Sequence, residues 1–228
     1  MKTTRPIVLV LLMAAAGIGN AANFCGELKN HFGPFDYRER AAHATDFELV
    51  EHAHFTSDVE NGIKGATVTG VGADLGYTLR VIPNHHRALA TLGRVAARTK
   101  SPELLHLGYP VECYFERAIR MAPTDGAVFA EYGNYMHALG KSDKALQAFT
   151  QAVRLAPDNP TINYNLGLAY FTHKDYDKSA LYAHKAYELG FPLPGLKHKL
   201  AAVGKWQEQA PAPAKVTTPA EAEAGASR

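Results

Sequence analysis

The chain has 228 residues, of which 46% are hydrophobic and 20% charged, with 24 Lys and Arg against 22 Asp and Glu. This is the balance of a folded chain of ordinary size, and it excludes a low-complexity or wholly unstructured polymer. The excess positive charge is Lys2 and Arg5 at the very start, so the remainder is neutral and offers no global argument for nucleic acid or an anionic membrane surface.

Residues 1–21 have the layout of a secretory signal peptide. Lys2 and Arg5 form a basic n-region, Ile7 to Met13 is apolar, and Gly19-Asn20-Ala21 sets small residues at a cleavage site. The apolar run is short for a bilayer span, so the expectation is cleavage, a periplasmic or secreted chain, and no stable membrane insertion afterwards. Cys25 and Cys113 are the two cysteines, both in the exported part. An isolated pair in an oxidising compartment favours a disulfide.

Residues 22–83 form an N-terminal cap segment without periodicity. Thr45-x-x-Glu48 and Ser57-x-x-Glu60 could open short helices as capping boxes, and Gly62 would end the second. The glycine-rich stretch Gly65 to Gly76 reads as loop or hairpin. Tyr77, Leu79 and Val81 alternate with Thr78 and Arg80, which predicts an extended stretch, and Asn84 is a candidate N-cap for the next helix.

Residues 84–206 are repetitive. Tyr132-Gly133 and Leu166-Gly167 lie 34 residues apart. From Gly126, Phe129, Tyr132, Gly133, Met136, Ala145, Phe149, Ala152 and Pro157 fall at positions 4, 7, 8, 11, 20, 24, 27 and 32 of that period in order of size class. From Pro160 the same positions hold Asn163, Leu166, Gly167, Tyr170, Ser179, Ala183 and Ala186, with no large residue at position 24. Upstream, Leu89, Leu92, Gly93 and Ala96, then Phe115, Ala118 and Pro123, mark a first repeat with an insertion around Lys100 to Val111. Insertions of this kind can carry binding. Phe191 to Trp206 predicts a last capping helix with Leu196, Leu200 and Val203 on one face, and residues 207–228 are a polar Ala- and Pro-rich tail expected to be disordered.

This sequence resembles the tetratricopeptide-repeat (TPR) family over about Asn84 to Pro194, and the expectation is an exported bacterial member of it. The resemblance implies a mainly α chain, an α-α superhelix of about three helix pairs, whose concave groove holds a segment of a partner. Helix A positions 2, 5, 9, 12 and 13 of such repeats face the groove. They place Arg87, Ala90, Arg94, Ala97 and Arg98 there, then Ala127, Ala130, Asn134, His137 and Ala138, then Thr161, Tyr164, Leu168, Phe171 and Thr172. The three arginines could receive carboxylates, Asn134 a ligand backbone, and Tyr164 and Phe171 an apolar anchor. The competing expectation is that the arginines are a solvated face and that Tyr164 and Phe171 pack on the C-terminal cap.

The expected function is therefore a periplasmic scaffold or adaptor that docks a segment of an envelope protein, with no cofactor and no catalysis. No HExxH, CxxC, Walker or GxSxG motif is present. Two alternatives stand beside it. One is a metal-binding or enzymatic protein using His52, His54, His85 or His86; His52 and His54 share a face only in a strand. The other is a structural subunit of a secretion or pilus assembly.

Overall fold

A computed structural model describes residues 25–99, 104 and 106–207. Residues 1–24, which include the expected signal segment, residues 100–103 and 105 of the insertion, and the expected tail at 208–228 lie outside them. The described residues contain α-helices and one 3-10 turn, Tyr37–Glu39, with no strand. The helices are α1 (Ala44–His54), α2 (Ser57–Asn61), α3 (Val71–Val81), α4 (His86–Thr99), α5 (Val111–Met121), α6 (Gly126–Ala138), α7 (Ser142–Leu155), α8 (Pro160–Thr172), α9 (Tyr176–Glu188) and α10 (Gly195–Ala202).

The regular repeats are the pairs α6–α7 and α8–α9, each packed most extensively within itself, and α4, α6 and α8 line up as successive first helices. The result is a TPR-like α-α superhelix. Local chemistry sets the boundaries. Asp125 caps α6 by accepting from the Ala127 N–H, and Asn159 caps α8 by accepting from that of Ile162, followed by Pro160 at the first helical position. Gly133 allows the close approach of α7: a Cβ there would lie 2.7 Å from the Phe149 ring.

The last repeat lacks a large residue at position 183, and α10 supplies one. Leu196 is fully buried with Ala183 and Leu200, and a Cβ on Gly167 would lie 2.7 Å from its side chain. Leu196 thus does for Gly167 what Phe149 does for Gly133. Leu200 joins it in the core, whereas Val203 falls just past the end of α10 and is exposed.

The N-terminal segment departs from expectation. Tyr77, Leu79 and Val81 belong to α3, not to an extended stretch, and Gly70 is the N-cap of that helix. The helix lies between two apolar clusters. Leu75 and Leu79 face the main core with Leu89, Leu92 and Tyr114, while Tyr77 and Val81 face a second cluster with Phe47, Val50 and Ile82. An element buried on two sides loses the one-sided 3.6-residue pattern, and its remaining alternation mimics a strand. Neither capping box forms: α1 starts at Ala44 and α2 at Ser57, and neither has a side-chain cap. Gly62 ends α2 in the left-handed conformation, as expected.

The end of the insertion packs inward. Leu107 is buried, and its carbonyl accepts from the Tyr114 hydroxyl. A Cβ on Gly76 would lie 2.5 Å from the same carbonyl oxygen, so α3 and the insertion meet at closest backbone distance. Cys25 and Cys113 form a disulfide across 88 residues, tying the start of the segment to α5.

Candidate functional site

The concave face is built by α4, α6 and α8, and its three thirds have different fates. At the α4 end, the chain's own α2 occupies it. Arg87 forms a two-pronged pair with the Glu60 carboxylate, one contact at 2.7 Å from Nε to Oε1. The Thr91 hydroxyl and an Arg94 Nη2 both donate to the Glu60 carbonyl, at 2.8 and 2.5 Å, and Arg98 donates to the Gly62 carbonyl at 3.2 Å. Residues at i, i+4, i+7 and i+11 of α4 therefore hold the C-terminal end of α2, where unpaired carbonyls and the negative end of the helix dipole favour cations. The Arg87 guanidinium beside it, outweighing burial, holds the Glu60 carboxyl below its usual range.

At the α8 end, the C-terminal cap covers the face. Tyr164 stacks on Phe191 at 4.0 Å between ring centroids, and Phe171 packs on Tyr176 at 5.3 Å with the Lys199 ammonium 5.7 Å from its ring. Leu168 joins them against Ala183, Leu196 and Leu200. Thr161 is exposed, and the Thr172 hydroxyl bonds back to the Leu168 carbonyl at 3.1 Å.

The middle is open. A cavity of about 330 Å³ lies between α4 and α6, with Ala90, Gly93, Arg94 and Ala97 on one wall and Glu131, Asn134, Tyr135 and Ala138 on the other. Asn134 donates to Glu131 Oε2 at 3.1 Å and accepts from the Asn165 amide at 3.2 Å, so a polar chain crosses from α6 to α8. Burial pushes the Glu131 carboxyl above its usual range, and the Asn134 hydrogen bond only partly offsets this. His137 is exposed one turn beyond Asn134. Ala127 is half-buried, and Ala130 is buried with Ala152 and Ile162.

Of the residues expected in a groove, the structure thus brings Ala90, Arg94, Ala97, Asn134 and Ala138 to one open cavity, while His137 is exposed on α6 and is not among its lining residues. Arg87 and Arg98 turn to α2, and Tyr164, Leu168 and Phe171 turn to the cap. Glu131 and Tyr135 also line the cavity. Glu131 was within reach of sequence reasoning, since it stands three residues before Asn134 and shares its helix face. Tyr135 was not, because it reads as a core aromatic and is indeed buried.

The histidines are distributed among carboxylates. His52 is exposed. His54 Nδ1 lies 2.9 Å from Asp74 Oδ1 and its ring stacks on Tyr77 at 4.0 Å. Burial raises the Asp74 carboxyl, but hydrogen bonds from His54 and Thr67 outweigh this and hold it low. His85 Nε2 lies 2.9 Å from Glu51, and His86 Nε2 lies 2.7 Å from Asp125. Because α1 is a helix, His52 and His54 do not share a face. Among the described residues, no group of three or more His, Cys, Asp or Glu could hold a metal ion. No helix among them is long and apolar enough to cross a membrane.

No curated protein matches the sequence. Among solved structures, a crystal structure of MamA is similar at 16% identity and a TM-score of 0.43, over 73% of this chain and 87% of that one. A second MamA structure, MamA MSR-1 C2, is similar at 16% identity and a TM-score of 0.41, over 67% of this chain and 90% of that one. The family model described as TPR repeat matches residues 133–174, from Gly133 through α7 to the end of α8, so the chain carries TPR repeat sequence at the centre of its superhelix.

Proposed function

We propose that this protein is an exported scaffold, periplasmic or secreted, that binds an extended segment of an envelope protein in the open middle of its concave face and catalyses nothing. The observation that carries this reading is the cavity between α4 and α6. Its walls are small residues, its polar groups are Asn134, Glu131 and Arg94, and both ends of the same face are already covered by the chain itself. Small side chains admit a backbone, and an amide with both donor and acceptor can hold one. The site is shorter than a groove running the length of three repeats, and it fits a few residues of a partner. Export rests on the residue pattern of positions 1–21.

Site-specific photo-crosslinking in the native envelope tests the reading. A crosslinker at His137 should give a discrete partner adduct, and one at Lys144 on α7 should not. Asn134→Ala should weaken partner binding about tenfold, the cost of about one to two hydrogen bonds at roughly 1 kcal/mol each. Equal adducts from both positions, or binding unaffected by Asn134→Ala, would overturn it. Arg87→Ala with Arg98→Ala serves as a control: it should speed amide exchange in residues 57–62 and leave partner affinity within about twofold, because both arginines hold α2.

A further inference from the structure

A second pocket, of about 430 Å³, lies at the far end of the solenoid, away from the concave cavity. Tyr187 and Glu188 come from the last turn of α9, Phe191, Pro192 and Pro194 from the connection to α10, and Trp206 from the segment after α10. Its aromatic walls are fixed. Phe191 is stacked on Tyr164, and Trp206 is stacked on His184 at 4.0 Å and set edge-on to Tyr187 at 5.7 Å. Rigid aromatic and proline walls around a shallow opening suit a polyproline-II segment, which presents flat rings and free carbonyls and loses little entropy on docking. The Trp206 indole Nε1 is buried with no hydrogen-bond partner among the described residues, and the Lys197 ammonium of α10 lies 5.5 Å from the ring centroid.

The sequence supplies such a segment one step away. The described residues end at Gln207, next to Trp206, and residues 210–214 read Ala-Pro-Ala-Pro-Ala. Lys215 follows at once, and Glu188 stands exposed at the pocket rim with no ion pair among the described residues. We propose that this pocket is the docking site of the chain's own proline-rich tail, with residues 210–214 laid along the wall that Trp206, Tyr187 and Phe191 form and Lys215 meeting Glu188. The tether is only a few residues long, so its effective concentration is millimolar or higher, and a contact too weak to form between separate molecules still closes within one chain. A segment carried so near the pocket outcompetes proline-rich segments of other proteins.

Trp206 is the single tryptophan, so intrinsic fluorescence reports this pocket alone. In the full mature chain, acrylamide quenching of Trp206 should be low and independent of protein concentration. Pro211→Ala with Pro213→Ala turns residues 210–214 into five alanines, removes the polyproline preference, and should raise the quenching constant by about twofold or more. Free Ala-Pro-Ala-Pro-Ala-Lys peptide, added in excess to that variant, should restore the protection. Equal quenching in the two chains, or a peptide without effect on the variant, would overturn the proposal. Protection that grows with protein concentration would overturn it in favour of exchange of tails between copies. Helical circular dichroism of the variant should match the parent, since both substitutions lie outside the packed helices.

Discussion

His85 shows how one side chain can be set by two contacts that no pattern announces. It is the N-cap of α4: its carbonyl accepts from the Leu89 N–H, and its Nδ1 accepts from that of Ala88 at 3.1 Å. Accepting at Nδ1 forces the ring proton onto Nε2, which then donates to Glu51. A second proton would place two donors nose to nose at the cap. Burial accordingly pushes the imidazole below its ordinary value, with Arg87 adding to the effect and Glu51 opposing it without overcoming it. The unfolded histidine titrates near ~6.5, so below that pH the unfolded chain holds more protons than the folded one. This stability is complete above about pH 6.5 and is lost as pH falls, at up to about 1.4 kcal/mol per pH unit. Glu51 and Asp36, held down at about 2 by hydrogen bonds from Arg40 and Arg38, add a separate loss only below the ordinary carboxylate range. Urea unfolding midpoints should therefore drop between pH 7.5 and 5.5. His85→Asn, which keeps a capping acceptor and cannot titrate, should flatten that slope; an unchanged slope would refute the assignment. The sequence points to Asn84 for this cap, because asparagine is the commoner capping residue. In the fold Asn84 accepts from the Tyr37 N–H and donates to Asp36 and Asp125, partners 41 to 48 residues away that no local spacing encodes.

At the scale of elements, what was legible is what repeats. The 34-residue period located α6 through α9 closely, since small and large residues at fixed positions are a packing requirement imposed anew at each turn of the solenoid. It failed where a partner comes from outside the period. Nothing in residues 160–188 says that Leu196 will fill the place left by Ala183, although the missing large residue was a visible vacancy. Leu196→Ala should cost about 2–5 kcal/mol, because the truncation opens a cavity against Gly167 and Ala183 and undocks α10. Denaturation of the variant should also expose Trp206, whose ring contacts run through His184 and Tyr187 on α9. A variant that loses less than about 1 kcal/mol would mean that the α8–α9 pair is closed without α10. The concave face follows the same logic. The repeat positions put Arg87, Arg94 and Arg98 together, and in the fold all three bond to α2 and the residue that ends it, which no spacing could foretell because α2 has only five residues and no periodicity of its own.

Across the whole molecule, the N-terminal segment and the repeats are one folding unit held by long-range clamps. Arg117 is 2% exposed, yet no carboxylate among the described residues pairs with it. It donates to the carbonyls of Cys25 and Glu27, at 3.2 and 2.5 Å, and its guanidinium lies 5.4 Å from the Tyr109 ring centroid. Arg120 adds a bond to the Gly26 carbonyl at 2.7 Å. Burial lowers the Arg117 pKa, which is the expense of holding a cation by carbonyl dipoles and a ring face alone. The Cys25–Cys113 disulfide keeps those carbonyls in place, so the covalent link and the buried charge depend on each other. Closing a loop of 88 residues restricts the unfolded chain by about 4–5 kcal/mol in the entropy model. Cys25→Ser with Cys113→Ser should lose about that much, and reduction of the parent chain should match it. Arg117→Met separates the two contributions. In the disulfide-bonded chain it removes three contacts and should destabilise. In the double-serine chain, where residues 25–27 are free to leave and the cation is stranded, the same substitution should cost less or become stabilising. Equal effects in both backgrounds, measured as urea midpoints, would show that the N-terminal strap stays seated without its disulfide.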